Sequence, residues 1–141
     1  MADPLLLGPA ALFVTSTVYS TALAATHPEL PGEPFGVRVP GRVRTHLALG
    51  LGSAVAAPWP MPAIAMWAAV SGDPRSTWAA RTTTTIGIGV LSGILSEPAT
   101  WGRRPTPPLH SVNVALGLAV GAAMVSAGTH RLRQHAAAVP I

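Results

Sequence analysis

The chain has 141 residues, of which 49% are apolar and only 10% charged, with a formal net charge of +4. A soluble domain carries about a quarter of its residues as Asp, Glu, Lys and Arg, so this composition excludes an ordinary water-facing surface. All nine basic residues are Arg, in short groups, with one Tyr and two Phe to stack on bases, which argues against nucleic acid as a partner, and the lack of Cys excludes disulfides and thiolate metal sites.

No Asp, Glu, Lys or Arg occurs between Asp3 and Glu29, between Arg44 and Asp73, between Arg81 and Glu97, or between Arg104 and Arg131. A helix rising 1.5 Å per residue needs about 20 apolar residues to cross roughly 30 Å of hydrocarbon. Four such stretches predict an all-α, polytopic integral membrane protein: a single domain over 1–141, built as a compact bundle of four transmembrane helices, the second kinked by prolines.

The first span is expected over 4–26. Acidic Asp3 replaces the basic start of a signal peptide, and the apolar run exceeds a usual signal core, so the segment is expected to be retained although Ala22-Leu23-Ala24 resembles a cleavage site. Residues 27–44 hold Pro28, Pro31, Pro34 and Pro40 among glycines and predict an irregular loop. The second span, over 45–70, contains Pro58, Pro60 and Pro62, each of which deletes a backbone donor and clashes with the preceding turn. We expect a kink or a short unwound break there, with freed carbonyls facing protein or a wet cavity because lipid cannot satisfy them. An interfacial loop at this position is the weaker alternative, since it leaves flanks too short to span.

Gly72-Asp73-Pro74 marks a turn before the third span, 79–98, whose Thr82 to Thr85 run makes it the least apolar of the four. A Pro-rich turn, 101–109, leads to the fourth span, 110–129, and the tail from His130 onward reads as a membrane-edge cap that frays. Small residues recur at spacing four in Gly50 with Ala54, Gly52 with Ala56, Gly89 with Gly93 and Gly117 with Gly121, a pattern that lets helices approach closely within a bundle or an oligomer. Arg38, Arg42, Arg44, Arg103 and Arg104 fall on one side and Arg75, Arg81, Arg131 and Arg133 on the other. This narrow excess places both termini outside the cytoplasm of a cell membrane, read here as prokaryotic.

Candidate chemistry comes from polar residues that are costly near hydrocarbon. Glu97 ends the third span on the same face as Gly89 and Gly93, so its carboxyl closes a groove wide enough for a neighbour or ligand. His110 and Asn113 share a face at the start of the fourth span, and His46 starts the second. An up-down bundle brings His27, His46, Glu97 and His110 toward one leaflet. Partial desolvation would make Glu97 a general acid, His110 or His46 a base, and Asn113 a group that orients substrate. Trp59, Trp67, Trp101 and Ser96 are candidates for lining a substrate site, with Trp78 and Trp101 equally suited to anchoring at the interface.

These residues predict acid-base isomerisation or cyclisation of a lipophilic substrate such as an isoprenoid or polyketide, without a cofactor. The competing expectations are a lipid-binding or accessory subunit that docks a larger complex, and a small oligomeric transporter. Glu97 pairing with Arg103 or Arg104 at headgroup level would leave it a structural role. Compact metal-ligand spacing, Gly-rich nucleotide loops and a serine nucleophile elbow are absent from the sequence.

Overall fold

A computed structural model describes residues 2–26, 32–49, 52–53, 55–73 and 76–138. It is all-α: α1 (Pro4–Thr26), α2 (Val43–Leu49), α3 (Pro60–Ser71), α4 (Trp78–Ser96) and α5 (His110–Ala138), with 3₁₀ turns at Pro34–Gly36 and Pro98–Trp101. Among the described residues, α1 and α5 are long and apolar enough to cross a membrane, whereas α3 is a shorter apolar helix.

Helix α1 buries Leu6, Ala10, Phe13, Thr17, Ser20 and Ala24. Their spacing alternates four and three, the seam of a helix packed at small crossing angles. This seam meets α3 and α5, while α4 packs on the same two helices. The start of α1 is fixed by the Asp3 N–H donating to the Ala69 carbonyl at 2.9 Å, and by the Asp3 carboxylate pairing with Arg131 at 2.8 Å. α1 is therefore antiparallel to both α3 and α5.

Helices α4 and α5 share the closest seam. A Cβ placed on Gly87 would lie 2.9 Å from the Gly121 carbonyl oxygen, and one on Gly128 would strike Thr84. Glycine at these positions lets the two backbones touch, which adds dispersion energy to a core that mixes Leu6, Phe13 and Met124 with small side chains such as Ala65, Ala68 and Ala69. Of the small-residue pairs, Gly117 and Gly121 join this seam against Ile94 and Leu91. Gly50 and Ala54 lie outside the described residues.

The outer surface carries many large apolar side chains. Leu12, Val18, Ile64, Val70, Ile88, Leu95, Val112 and Leu116 are all exposed. Only 28% of the apolar window of α1, and the same share of α5, is buried. The core helix of a soluble protein buries most of its surface and covers the rest with charge, so these faces suit contact with lipid.

In the second span the break, and not the kink, is what forms. Residues 45–70 do not form one kinked helix: α2 stops at Leu49, the chain is irregular around 52–58, and α3 begins at Pro60. Gly52 takes φ +82°, and a Cβ there would strike the Ala56 carbonyl, so the bend is built for glycine. The prolines thus start a helix inside the fold instead of bending one.

A helix start leaves several N–H groups without intrahelical partners. Here Pro58, Pro60 and Pro62 have none to orphan, while Trp59 donates to the Leu47 carbonyl at 2.8 Å, Met61 to Pro58 at 3.1 Å and Ala63 to Trp59 at 3.3 Å. With 12 residues, α3 is about 18 Å long, roughly half a bilayer's apolar thickness.

Helix α5 runs past 129 to Ala138, further than the charge pattern suggested. Neither Gly nor Pro interrupts the tail before Pro140, and Gln134 bonds both Arg131 and His130 one turn back. Arginine marks where apolar surface ends; it does not stop a helix.

Candidate functional site

Where α3 begins, the bundle is incompletely filled. A partly open cavity of about 130 Å³ lies between α1, the irregular segment before α3, α4 and α5. Phe13, Val55, Pro58, Met61, Val90 and Val120 form much of its apolar wall. Gly89 and Gly93 line the α4 side, and a Cβ on Gly93 would meet nothing within 4 Å. These two glycines therefore widen a cavity, where spacing alone suggested either helix packing or a groove.

Glu97 closes one end of this cavity. It is the first residue beyond α4 and continues the buried seam of Ala80, Thr83, Gly87 and Val90, so helical periodicity aims it inward. Glu97 is 8% exposed. Its two carboxylate oxygens accept the Glu33 N–H at 3.1 and 3.0 Å, while the Glu33 side chain takes Arg104 at 2.8 Å. Arg104 thus pairs with Glu33 and not with Glu97.

The Glu97 carboxyl is thus shielded from water and held on the Glu33 backbone.

Asn113 also lines the cavity, and its amide donates to the Val55 carbonyl. A backbone group freed by the broken span is thereby satisfied from α5. Mid-bundle breaks need such a partner because lipid supplies none.

The other proposed site residues lie elsewhere. His110 is 5% exposed but does not line the cavity; neither ring nitrogen makes a hydrogen bond, although the Ala99 carbonyl lies nearby. The His46 Nε2 meets the Pro40 carbonyl at 3.0 Å, away from the cavity. Ser96 donates to its own helix at Gly93. Trp59 and Trp101 face outward, and Trp67 packs against Trp78 with ring centroids 5.0 Å apart. His27 lies outside the described residues, among which no cluster of three or more His, Asp or Glu side chains is gathered for a metal.

Sequence reasoning passed over Ser16, Thr17, Ser20, Ser53 and Thr100, all on the cavity wall. A signal for two of them was present: Thr17 and Ser20 fall on the four-three seam running from Leu6 to Ala24. Searches against protein-family models, curated proteins and solved structures gave no match.

Proposed function

We propose that this chain is an integral membrane isomerase in which α1, α4, α5 and the discontinuous α2–α3 segment each occupy a span. The lipophilic substrate inserts one end into the central cavity, and Glu97 is the proton-exchanging group. What carries this reading is a single ionisable side chain, buried with its carboxyl on the wall of a mostly apolar cavity.

With His46 and His110 off the cavity, one carboxyl group must serve as both acid and base. Protonated Glu97 adds its proton to one carbon of a double bond, leaving positive charge on the adjacent carbon. The resulting carboxylate removes a proton from a carbon next to that cation, which shifts the double bond and restores the acid. If a second double bond attacks the cation before proton loss, a ring closes with the same proton balance.

Non-catalytic lipid binding is the second reading, and it is favoured by the absence of a second proton acceptor from the cavity wall. Incubating the reconstituted protein with lipid extracts and resolving isomeric products separates the two. Glu97→Gln should keep the fold while turnover falls at least a hundredfold, the scale of one general acid. Unchanged turnover in that variant rules out Glu97 as the acid, and carbonate extraction of the chain from membranes as a soluble protein rules out the spans.

A further inference from the structure

The cavity wall offers more hydrogen-bond acceptors than donors. Ser16 and Thr17 donate their hydroxyl hydrogens to the Phe13 carbonyl at 3.0 and 2.8 Å, Ser20 donates to Thr17 at 3.2 Å, and Thr100 donates to Ile94 at 2.7 Å. Four of the five lining hydroxyls have thus committed their hydrogens to backbone and keep only lone pairs. The fifth, Ser53, accepts the N–H groups of Val55 and Ala56 at 3.3 and 3.1 Å and keeps its own hydrogen to donate.

Backbone donors are fewer. Prolines remove three at the start of α3, and Trp59, Met61 and Ala63 have already donated theirs, which leaves the Ala57 N–H on the wall. One hydrogen of the Asn113 amide is committed to Val55 and the other is free to donate. Glu97 adds a carboxyl at the C-terminal end of α4, where the helix dipole is negative. No Arg or His lines the cavity, and Arg104 is held on the Glu33 carboxylate.

From this imbalance we infer that the cavity selects by charge: it favours positively charged apolar groups and rejects carboxylates and phosphates. This rests on the proposed isomerase reading and narrows its substrate class. The substrate enters as a neutral olefin without an anionic head, and its positive charge develops against lone pairs already in place. At about 130 Å³ the cavity is close to the roughly 150 Å³ known to hold benzene. A ring or short branch enters, and any longer chain stays outside.

Benzylamine, benzyl alcohol and benzoate share one shape and differ in charge, so they test this directly. Their binding to the purified full chain in neutral detergent at neutral pH is measured by saturation-transfer NMR, with empty micelles as the blank. The amine should bind about tenfold more tightly than the alcohol, the scale of one charge-assisted hydrogen bond, and benzoate should show no saturable binding. Glu97→Gln should reduce the amine to the alcohol's affinity. Gly93→Leu should fill the cavity and abolish binding of both, with helicity retained by circular dichroism.

Benzoate binding as tightly as the amine overturns charge selection while leaving the cavity reading intact. Failure of all three to bind the wild type, or undiminished binding by a folded Gly93→Leu, overturns the cavity reading and the inference with it.

Discussion

On α4, Gly87 faces α5 and Gly93 faces the cavity. A side chain on Gly87 would press on the Gly121 carbonyl and the Met124 Cβ, both 2.9 Å from its first carbon, whereas one on Gly93 would enter open space. The same missing Cβ brings two backbones together at one position and keeps a volume empty at the other. Glycine spacing alone could not separate these outcomes, because both need a helix face without side chains.

The comparison is broken most strongly at the seam. Gly87→Leu should cost about 3 kcal/mol or more, the upper range for overpacking, read as a lower midpoint in denaturation from micelles. Asn113→Ala should cost about 1–3 kcal/mol, because it leaves the Val55 carbonyl unpaired beside the cavity. That loss, measured the same way, should be recovered in part by Asn113→Gln if the longer amide still reaches.

Gly93→Leu, in contrast to Gly87→Leu, should stabilise by about 0.5–1 kcal/mol, since it replaces a poor helix former without a clash. The smallest effect belongs to Arg104→Ala, expected at or below about 1 kcal/mol because its pair with Glu33 is largely exposed.

Helix positions were legible where charge is absent. The first span was expected over 4–26, which is also the extent of α1, and the third and fourth began within a residue of α4 and α5. The second is ambiguous in the sequence, because a proline inside an apolar run can bend a helix or begin one. Which it does depends on long-range partners: Leu47 for the Trp59 N–H and Asn113 for the Val55 carbonyl. Neither pairing has a local signature.

The candidate site was legible in part for the same reason. Glu97 and Asn113 could be placed by helical register, and both lie on the cavity wall. His46 could be assigned to an end of the bundle but not to a direction across it, because α2 has only seven residues and its rotation is fixed by the break that follows; His110 shares the register of Asn113, but as the first residue of α5 it is buried beyond the cavity. Hydroxyls of α1 were overlooked because Ser and Thr in apolar helices usually satisfy themselves locally. They do so here, and it is their remaining lone pairs that give the wall its polarity.

The alternating prolines before α3 have a kinetic consequence. A gap held open by capping side chains could anneal into continuous helix when those caps let go, but imino nitrogens cannot regain hydrogens. The break therefore cannot close into continuous helix, and on the proposed function a guest need not prise it apart on arrival. Occupancy should then follow how fast molecules diffuse sideways from the bilayer, with little rearrangement of the host between its vacant and filled forms.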